Sequence, residues 1–380
     1  MSKPVLYHLG SFPPTDIDWK RLVPTIGRAN AALARYDGLI SSIANPAILL
    51  APLTTQEAVL SSKIEGTVVT MGEVLRFEAG AGNALSQPKQ DDVEEVRNYR
   101  MALRFAASAL KERSLSQALI REAHALLMGG VRGRDKSPGA FRTEQNWVGS
   151  QNCKIEQASF VPIPQAQLQS GIDAWSGYIV DESQPDALVQ LAVAHLEFEA
   201  LHPFRDGNGR LGRMIIPLFL HARNLLSSPS FYMSGYLEAR RERYIEALRA
   251  VSRDGAWTEW CEFFLEGIIE QAAENQQKAK AIIDLNRRMQ ASVAQATHSE
   301  HAHRAVEFLF TTRIFSSSHF VEASQIPRPT ALRFLRVLSA RGILETLIVG
   351  SGRRPTFYSF SELLDLAEGR GVASVSQDSS

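Results

Sequence analysis

Residues 202–213 read HPFRDGNGRLGR, a stretch with three glycines and three arginines that lies between two apolar segments. The preceding segment, 187–201 (ALVQLAVAHLEFEAL), has the length and composition of a buried helix, and the following 214–226 (MIIPLFLHARNLL) is also apolar. Each glycine weakens a helix by about 1 kcal/mol relative to alanine, so glycines between two buried helices need a compensating reason. The stretch therefore predicts a mainly α-helical protein with a functional turn at this point.

The composition of this turn favours the binding of an anion such as phosphate. If one helix ends at His202 and the next begins at Gly209, the RDGNG loop brings backbone N–H groups together at the positive end of the second helix. Arg210 and Arg213 lie three residues apart, so their guanidinium groups are expected on one face of that helix.

Two further residues of the turn indicate the chemistry. Asp206 offers the hard oxygen ligand that Mg²⁺ prefers, and His202, with an ordinary pKa of about 6.5, can take a proton from a hydroxyl group. An anion-binding turn, a metal ligand and a general base together predict transfer of a phosphoryl or nucleotidyl group to a hydroxyl. The sequence contains no GxxxxGK[ST] segment, so a P-loop kinase or ATPase is unsupported.

Length, charge and cysteine content narrow the class of protein. The chain has 380 residues, enough for two or three domains, and 41 basic residues balance 41 acidic ones. The whole chain therefore lacks the basic excess that would by itself indicate nucleic-acid binding. Two distant cysteines, Cys153 and Cys261, fit a reducing compartment, and neither a signal peptide nor a membrane span is apparent. We expect a cytoplasmic protein that does not enter a membrane.

Helical periodicity dominates the pattern along the chain. Separate amphipathic helices are predicted over 17–34, 39–50, 54–64, 91–113 and 115–128, and further helices over 167–270. Residues 141–164 have β-branched and aromatic residues around polar turns, which predicts a short hairpin or flap. A polar helical connector follows at 271–295, and then the order helix, helix, helix, strand, strand, which is typical of a winged helix. Thr330 is the expected N-cap of the third of these helices, 331–341.

The resulting division has four parts. They are a helical N-terminal region over 1–113, a helical core with the flap over 114–285, a winged-helix domain over 296–366, and a polar tail over 367–380 that is expected to be disordered.

The residues of this turn resemble the signature of a known family. HPFRDGNGRLGR matches every defined position of H-P-F-x-[DE]-G-N-G-R-x-x-R, the signature of the Fic family. TTQEAVLSSKIEGT is similar to the inhibitory helix of the family, [ST]-x-x-x-E-[GN], with Ser61, Glu65 and Gly66 at its defined positions and bounds of about 54–67. FRTEQNWVGS is similar to its flap. The resemblance covers roughly Thr54 to Gly267 and implies a Fic-type helical core.

The resemblance implies a protein adenylyltransferase, which moves AMP from ATP to a Ser, Thr or Tyr hydroxyl of a target protein or of itself. His202 would then be the general base, Asp206 the Mg²⁺ ligand and Arg213 the partner of the γ-phosphate. Glu65 would inhibit the enzyme by pairing with Arg213. The target would dock on the flap near 141–164. The other residues that the resemblance assigns to the nucleotide are Gly207, Asn208, Gly209, Arg210, Leu211, Gly212, Val148, Gly149, Tyr236 and Tyr244.

Several alternatives remain open on the sequence alone. Tyr236 and Tyr244 are eight residues apart and are as well explained by core packing. His195, Glu199 and His202 have the spacing of a zinc site on one helix face, but beside the anion-binding turn a buried histidine with satisfied ring nitrogens is the favoured explanation of His195. The signature also does not fix which nucleotide or group is transferred, and it leaves a homodimer open.

The winged helix adds an alternative of another class, a DNA-binding regulator. Four arginines, Arg328, Arg333, Arg336 and Arg341, surround the expected recognition helix, and Arg353 and Arg354 lie at the expected wing tip. Because winged helices also bind proteins, either DNA or a protein could be the partner of this domain.

Overall fold

The computed structural model describes residues 3–43, 45–81, 85–130, 134–150 and 153–370. Within these residues the protein is mainly α-helical, as predicted. The helices are α1 Trp19–Ser41, α2 Pro46–Leu49, α3 Ala51–Ile64, α4 Met71–Glu78, α5 Gln87–Ala109, α6 Gln117–Leu127, α7 Leu168–Val180, α8 Ala187–Leu201, α9 Asn208–Ala222, α10 Ser234–Ala239, α11 Arg241–Asp254, α12 Trp257–Thr297, α13 Ala302–Thr311, α14 Ser317–Ala323, α15 Arg328–Ala340 and α16 Ser361–Ala367. The strands are β1 Val5–Leu6, β2 Phe160–Val161, β3 Ile314–Ser316, β4 Glu345–Ile348 and β5 Phe357–Ser359.

The chain forms two compact units that are not continuous in sequence. The first contains Met1–Gly38, Leu60–Thr67 and Glu94–Ala273, and the second contains Leu39–Val59, Val68–Val93 and Glu274–Ser380. The divisions fall inside long helices, including the 41-residue α12, which joins the expected connector to the helix before it. The domain boundaries proposed from the sequence stay predictions. None of the described helices is long and apolar enough to span a bilayer.

The core of the first unit is built around α8 and α9. Nearly all of α8 is buried, and Asp186 caps it by accepting hydrogen bonds from the N–H groups of Leu188 and Val189. Trp175 and Trp260 donate their indole N–H groups to the carbonyls of Ala194 and Ala192. These bonds satisfy two buried donors without exposing any part of α8. The helix that carries the functional turn is therefore rigidly held.

Several helix boundaries in the N-terminal region differ from the prediction. The expected break between 34 and 39 does not occur, because Tyr36 continues the buried face of α1 and Gly38 is accommodated within the helix. Helix α1 ends at Ser41, and Pro46 begins α2. Helix α4 was not predicted, although Thr70 and Glu73 form a complete capping box at its start.

The predicted hairpin over 141–164 is reduced to a single antiparallel bridge between Val148 and Phe160. Phe160–Val161 pairs in parallel with β1 instead, in the register Val5 with Phe160 and Leu6 with Val161. The expected short hairpin or flap is thus present only as this bridge on one edge of β2, while the N-terminal segment pairs with the other edge. The N-terminal segment is fixed further by Tyr7 and His8, which hydrogen-bond the buried carboxylate of Glu197 on α8.

In the second unit, α13, β3, α14, α15, β4 and β5 follow one another, and the strands form an antiparallel sheet in the order β3-β5-β4. The sequence predicted this order except for β3. Helix α15 begins at Arg328 after Pro327, so Thr330 lies in the first turn and is not the N-cap. Proline at the start of a helix needs no N–H partner, which allows the earlier beginning. The identification as a winged helix stays a prediction, and most of the predicted tail, 371–380, lies outside the described residues.

Candidate active site

The functional turn begins where α8 ends at His202. The backbone of His202 has φ +46° and ψ +59°, a left-handed conformation that is uncommon for a residue other than glycine. Its carbonyl accepts hydrogen bonds from Arg142 Nε at 3.1 Å and from Asn146 Nδ2 at 3.2 Å. Arg142 is buried and also donates to the carbonyl of Ile163 at 2.6 Å. Residues at the base of the flap therefore hold His202 in its strained conformation.

The side chain of Asn208 closes the turn. Its Oδ1 accepts from the N–H of Phe204 at 2.8 Å, and its Nδ2 donates to the Phe204 carbonyl at 2.9 Å. Gly207 has φ +77°, and a Cβ at this position would lie 2.8 Å from Met128 Sδ. The turn therefore requires glycine at 207, and α9 begins at Asn208, one residue earlier than predicted.

The glycines of α9 make room for two carboxylates. A Cβ at Gly209 would collide with Glu65 Oε1, and a Cβ at Gly212 would collide with Glu199 Oε1. A methyl group at either place would displace a carboxylate from the helix surface. This close approach is the compensating reason for glycine within a buried helix.

The guanidinium of Arg213 is the most constrained charge of the site. Arg213 is 2% exposed; its Nε donates to Ser61 Oγ at 2.9 Å, and its Nη2 donates to the Ser61 carbonyl at 2.8 Å and to Glu65 Oε1 at 2.6 Å. The residues predicted for the inhibitory contact are thus brought together. Partial burial works against ionisation of Glu65, but the Arg213 guanidinium outweighs this effect and lowers the pKa of Glu65 below its ordinary value.

The C-terminal end of α3, which carries Ser61 and precedes Glu65, is fixed by further contacts. Arg241 Nε donates to the Ile64 carbonyl at 3.1 Å, and Lys63 pairs with Glu238 at 2.8 Å. Gly66 has φ +105°, which lets the chain turn away directly after Glu65.

Arg210 has a different partner from Arg213. Its Nη1 donates to Glu95 Oε2 on α5 at 2.8 Å, and its Nη2 lies 3.5 Å from Asp206 Oδ1. The predicted pair of guanidinium groups acting on a common ligand is therefore not assembled in this state. Leu211, between them, is fully buried and belongs to the core.

A cavity of about 410 Å³ lies against His202, Gly209 and Arg213. This volume is within the range of small-molecule and cofactor sites. Ionisable side chains form one part of the cavity wall, and mostly apolar side chains form the other part. The remaining lining residues are Ile64, Glu65, Val148, Gly149, Ser150, Ser159, Phe160, Leu196, Glu199, Ala200, Arg241, Tyr244, Ile245, Leu248 and Arg249.

The imidazole of His202 is suited to accept a proton. Its Nδ1 lies 3.3 Å from the Glu199 carbonyl, and since a carbonyl can only accept, Nδ1 carries the hydrogen and Nε2 is left unprotonated. Burial lowers the pKa of His202 below its ordinary value, although the Glu199 carbonyl and the Glu65 carboxylate oppose this. The neutral, basic form is therefore the main form at neutral pH.

The two tyrosines assigned to the nucleotide differ in position. Tyr244 lines the cavity, and its hydroxyl contacts His195 Nε2 at 2.9 Å. Tyr236 does not line it: its ring is 5.3 Å from that of Phe263, and the Arg240 guanidinium stacks 4.3 Å from its centroid. For Tyr236 the structure favours the core-packing alternative.

His195 is a satisfied core histidine. It is fully buried, with Nδ1 at 3.2 Å from the Gly212 carbonyl and Nε2 bound to Tyr244. Burial lowers the pKa of His195 to about 3. Because both ring nitrogens are engaged, the arrangement does not favour the zinc alternative.

Sequence reasoning missed Glu199 as a member of this site. Its Oε1 is buried and has no hydrogen-bond partner among the described residues, and burial raises the pKa of Glu199 to about 7. Arg142 and Glu95 were missed as well, since their roles depend on contacts with residues 60 and 115 positions away. For Glu199 the available signal was its position three residues before His202, on the same face of α8.

Two family models match this chain. The N-terminal model of the Fic/DOC family matches residues 23–108, and the Fic/DOC family model matches residues 114–220. Together these ranges cover just over half of the chain. They contain His202, Glu65, Arg213 and the whole turn between α8 and α9.

Known relatives are similar at modest identity. The chain is 26% identical over 218 residues to protein adenylyltransferase fic-1 of Caenorhabditis elegans, a match that covers 50% of this chain and 41% of the relative. It is 27% identical over 202 residues to a probable protein adenylyltransferase of Aquifex aeolicus (strain VF5), covering 52% and 54%. The chain thus spans about half or less of the length of these relatives.

Solved structures share the fold. A Fic family protein from Desulfovibrio desulfuricans G20 has a TM-score of 0.57 at 21% identity over 91% of this chain and 97% of the other. A Fic domain containing signaling protein from Bacteroides thetaiotaomicron VPI-5482 has a TM-score of 0.53 at 17% identity, covering 67% and 97%. With the matched signature and the cavity built around it, these findings show that the chain belongs to the Fic/DOC family.

Proposed function

We propose that this protein is a protein adenylyltransferase, which transfers AMP from ATP to a Ser, Thr or Tyr hydroxyl of a target protein and is inhibited by its own Glu65. The observation that carries the proposal is the meeting of His202, Gly209 and Arg213 on one cavity, with Glu65 bound to Arg213. The names of the adenylyltransferase relatives support the same reaction class.

The proposed chemistry is an in-line displacement at the α-phosphorus of ATP. The target hydroxyl oxygen forms the new bond to that phosphorus while its proton passes to His202 Nε2. The bond from the α-phosphorus to the oxygen that bridges it to the β-phosphorus breaks, and pyrophosphate leaves with those electrons. The unprotonated Nε2 on the cavity wall supports this role.

The proposed nucleotide position follows the distribution of charge in the cavity. Backbone N–H groups near Gly207 and Gly209, at the start of α9, are suited to the α- and β-phosphates, and Arg213 is suited to the γ-phosphate. The base would lie toward the apolar wall near Tyr244 and Leu248. Contact between Arg210 and a phosphate would require the pair with Glu95 to open.

Asp206 fits the proposed role of a Mg²⁺ ligand. Its side chain is half exposed, Oδ1 accepts from the N–H of Gly207, and Oδ2 has no partner among the described residues. Mg²⁺ is commonly held by one or two carboxylates together with phosphate oxygens and water. When bound, the ion would neutralise the charge of the phosphates during transfer.

The flap is the proposed docking place of the target. Trp147 and Val148 expose 41% and 38% of their surfaces there, and Val148 also lines the cavity. A target segment at this edge would bring its hydroxyl toward His202.

Both cysteines are free thiols, which supports the proposed cytoplasmic location.

Replacement of His202 tests the general base. We expect His202→Ala to lower the rate of AMP transfer by about 10²–10⁴-fold, the usual contribution of general-base catalysis. ATP binding should remain close to that of the wild type, because the phosphate contacts do not involve the imidazole. The measurements are incorporation of α-labelled ATP into protein and calorimetric titration with ATP.

The control for this variant is His303→Ala, which removes an exposed histidine from α13. It should transfer AMP at the wild-type rate. If His202→Ala keeps at least half of the wild-type rate, His202 is not the base.

Replacement of Asp206 tests the metal ligand. Asp206→Asn keeps an acceptor for the Gly207 N–H but removes the charge. We expect the Mg²⁺ concentration for half-maximal ATP binding to rise by at least about tenfold. Even the replacement of residues that only orient a metal ligand lowers metal affinity by about 10–100-fold. Calorimetry with and without Mg²⁺ measures this directly. Asp135→Asn, which changes an exposed carboxylate in a short 3-10 helix outside the turn, is the matched control. An unchanged Mg²⁺ requirement in Asp206→Asn would assign the ion to other residues.

Replacement of Glu65 tests the inhibitory contact. We expect Glu65→Gly to raise AMP transfer, including self-modification, by at least about tenfold, which corresponds to about 1.4 kcal/mol of lost inhibition. Arg213 would still donate to Ser61, so the variant should fold. Adding Arg213→Ala should abolish the gain, because both residues act through one contact.

The matched control for Glu65→Gly is Glu78→Gly, the same change at the end of α4. It should leave the rate of transfer unchanged. A rate for Glu65→Gly that is equal to that of the wild type would contradict the regulatory part of the proposal.

A further inference from the structure

The part of the chain from α15 to the loop between β4 and β5 carries an excess of positive charge. We call it the arginine surface, and its members are Arg328, Arg333, Arg336, Arg341, Arg353 and Arg354. Residues 325–344 and 346–361 contain no Asp or Glu, whereas the whole chain has equal numbers of acidic and basic residues. The positive charge of this surface is therefore local, and the net charge of the whole chain does not reveal it.

These arginines are not used to pack the core. Helix α15 buries one face through Ala331, Phe334, Leu335 and Leu338, and the arginines of α15 lie on the exposed face. Of the six, Arg333 has a structural contact, a hydrogen bond of 3.0 Å to the Thr297 carbonyl. The side chains that give the surface its charge are thus available to a partner.

The arginine surface also lacks internal counterions. Elsewhere in this unit Arg288 pairs with Glu362 and Arg370 with Asp365. For Arg328, Arg336, Arg341, Arg353 and Arg354, no carboxylate of the described part of the chain lies within ion-pair distance. Unneutralised cations at this density attract polyanions strongly, and binding to a polyanion releases its counterions.

We propose that the arginine surface binds double-stranded DNA, with α15 in the major groove and the β4–β5 loop against the backbone. A helix of 13 residues is about 20 Å long and about 10–12 Å wide, which matches a groove about 12 Å wide. Guanidinium forks fit both phosphate oxygens and the major-groove edge of guanine. This inference does not depend on the proposed transfer reaction.

A protein is the competing partner, because apolar side chains also lie on this surface. Leu332 on α15 is 38% exposed, and Val349 in the loop is 81% exposed. Arginine is enriched in protein interfaces as well, but only interfaces with DNA are strongly positive as a whole. The number of unpaired arginines favours DNA.

The test is binding of the full-length protein to a labelled duplex of mixed sequence, followed by fluorescence anisotropy at several salt concentrations. We expect binding that weakens steeply between about 50 and about 200 mM salt, with a slope of about −0.9 for each phosphate contact. The double variant Arg336→Glu, Arg353→Glu should bind at least about tenfold more weakly and reduce the magnitude of the slope by about 2. Because both residues are exposed, thermal unfolding should be unchanged.

Arg287→Glu is the matched control, since it reverses an exposed arginine on α12 that is outside the arginine surface. It should bind the duplex nearly as well as the wild type. The proposal is wrong if the duplex does not bind at the lowest salt concentration, or if Arg287→Glu weakens binding as much as the double variant. Equal competition by polyphosphate of the same charge would also overturn it. If the duplex does not bind, but an acidic protein binds to the wild type and not to Arg336→Glu, the arginine surface is a protein-binding site instead.

Discussion

A guanidinium group that is removed from water must be paired, and Arg213 is 2% exposed. The surrounding structure satisfies this requirement with Ser61 in α3 and Glu65 directly after it, about 150 residues earlier in the chain. In the proposed function the same cation, which lines the cavity, binds the terminal phosphate of ATP. Two anions, one from the protein and one from the proposed nucleotide, therefore compete for a single buried charge.

The other residues of the turn fix the positions of Glu65 and His202 around this charge. Gly209 has no side chain because the Glu65 carboxylate lies directly over it, and Gly207 adopts a left-handed conformation against Met128. His202 is held in its own left-handed conformation by Arg142 and Asn146 from the base of the flap. Because the flap is paired with β1, the proposed base is positioned partly by the N-terminal segment. Changes at the flap should therefore affect the orientation of His202.

The sequence was sufficient for the parts of the site that are local. The apolar helices around 202–213 followed from the residues themselves. The pairing of Glu65 with Arg213, which are 148 residues apart, was implied only by the family resemblance. Strands of two residues, such as β1 and β2, are too short to produce a periodic pattern, so their pairing was not predicted. Tyr236 and Tyr244 appeared equivalent because they are eight residues apart, but they lie on different helices and face different surroundings. Glu199 was placed on the helix face of His202 from its spacing, but its burial could not be predicted, and Glu95 could not be recognised because its contact with Arg210 is distant in sequence.

The most direct test of the central claim compares the affinities of ATP and ADP for the wild type and for Glu65→Gln. If Glu65 and the γ-phosphate compete for Arg213, calorimetry should give similar affinities for ATP and ADP in the wild type. In Glu65→Gln, ATP should bind at least about tenfold more tightly than ADP, a difference of about 1.4 kcal/mol. The same ratio of ATP to ADP affinity in both proteins would contradict the account, because Glu65 would then not occupy the position of the γ-phosphate.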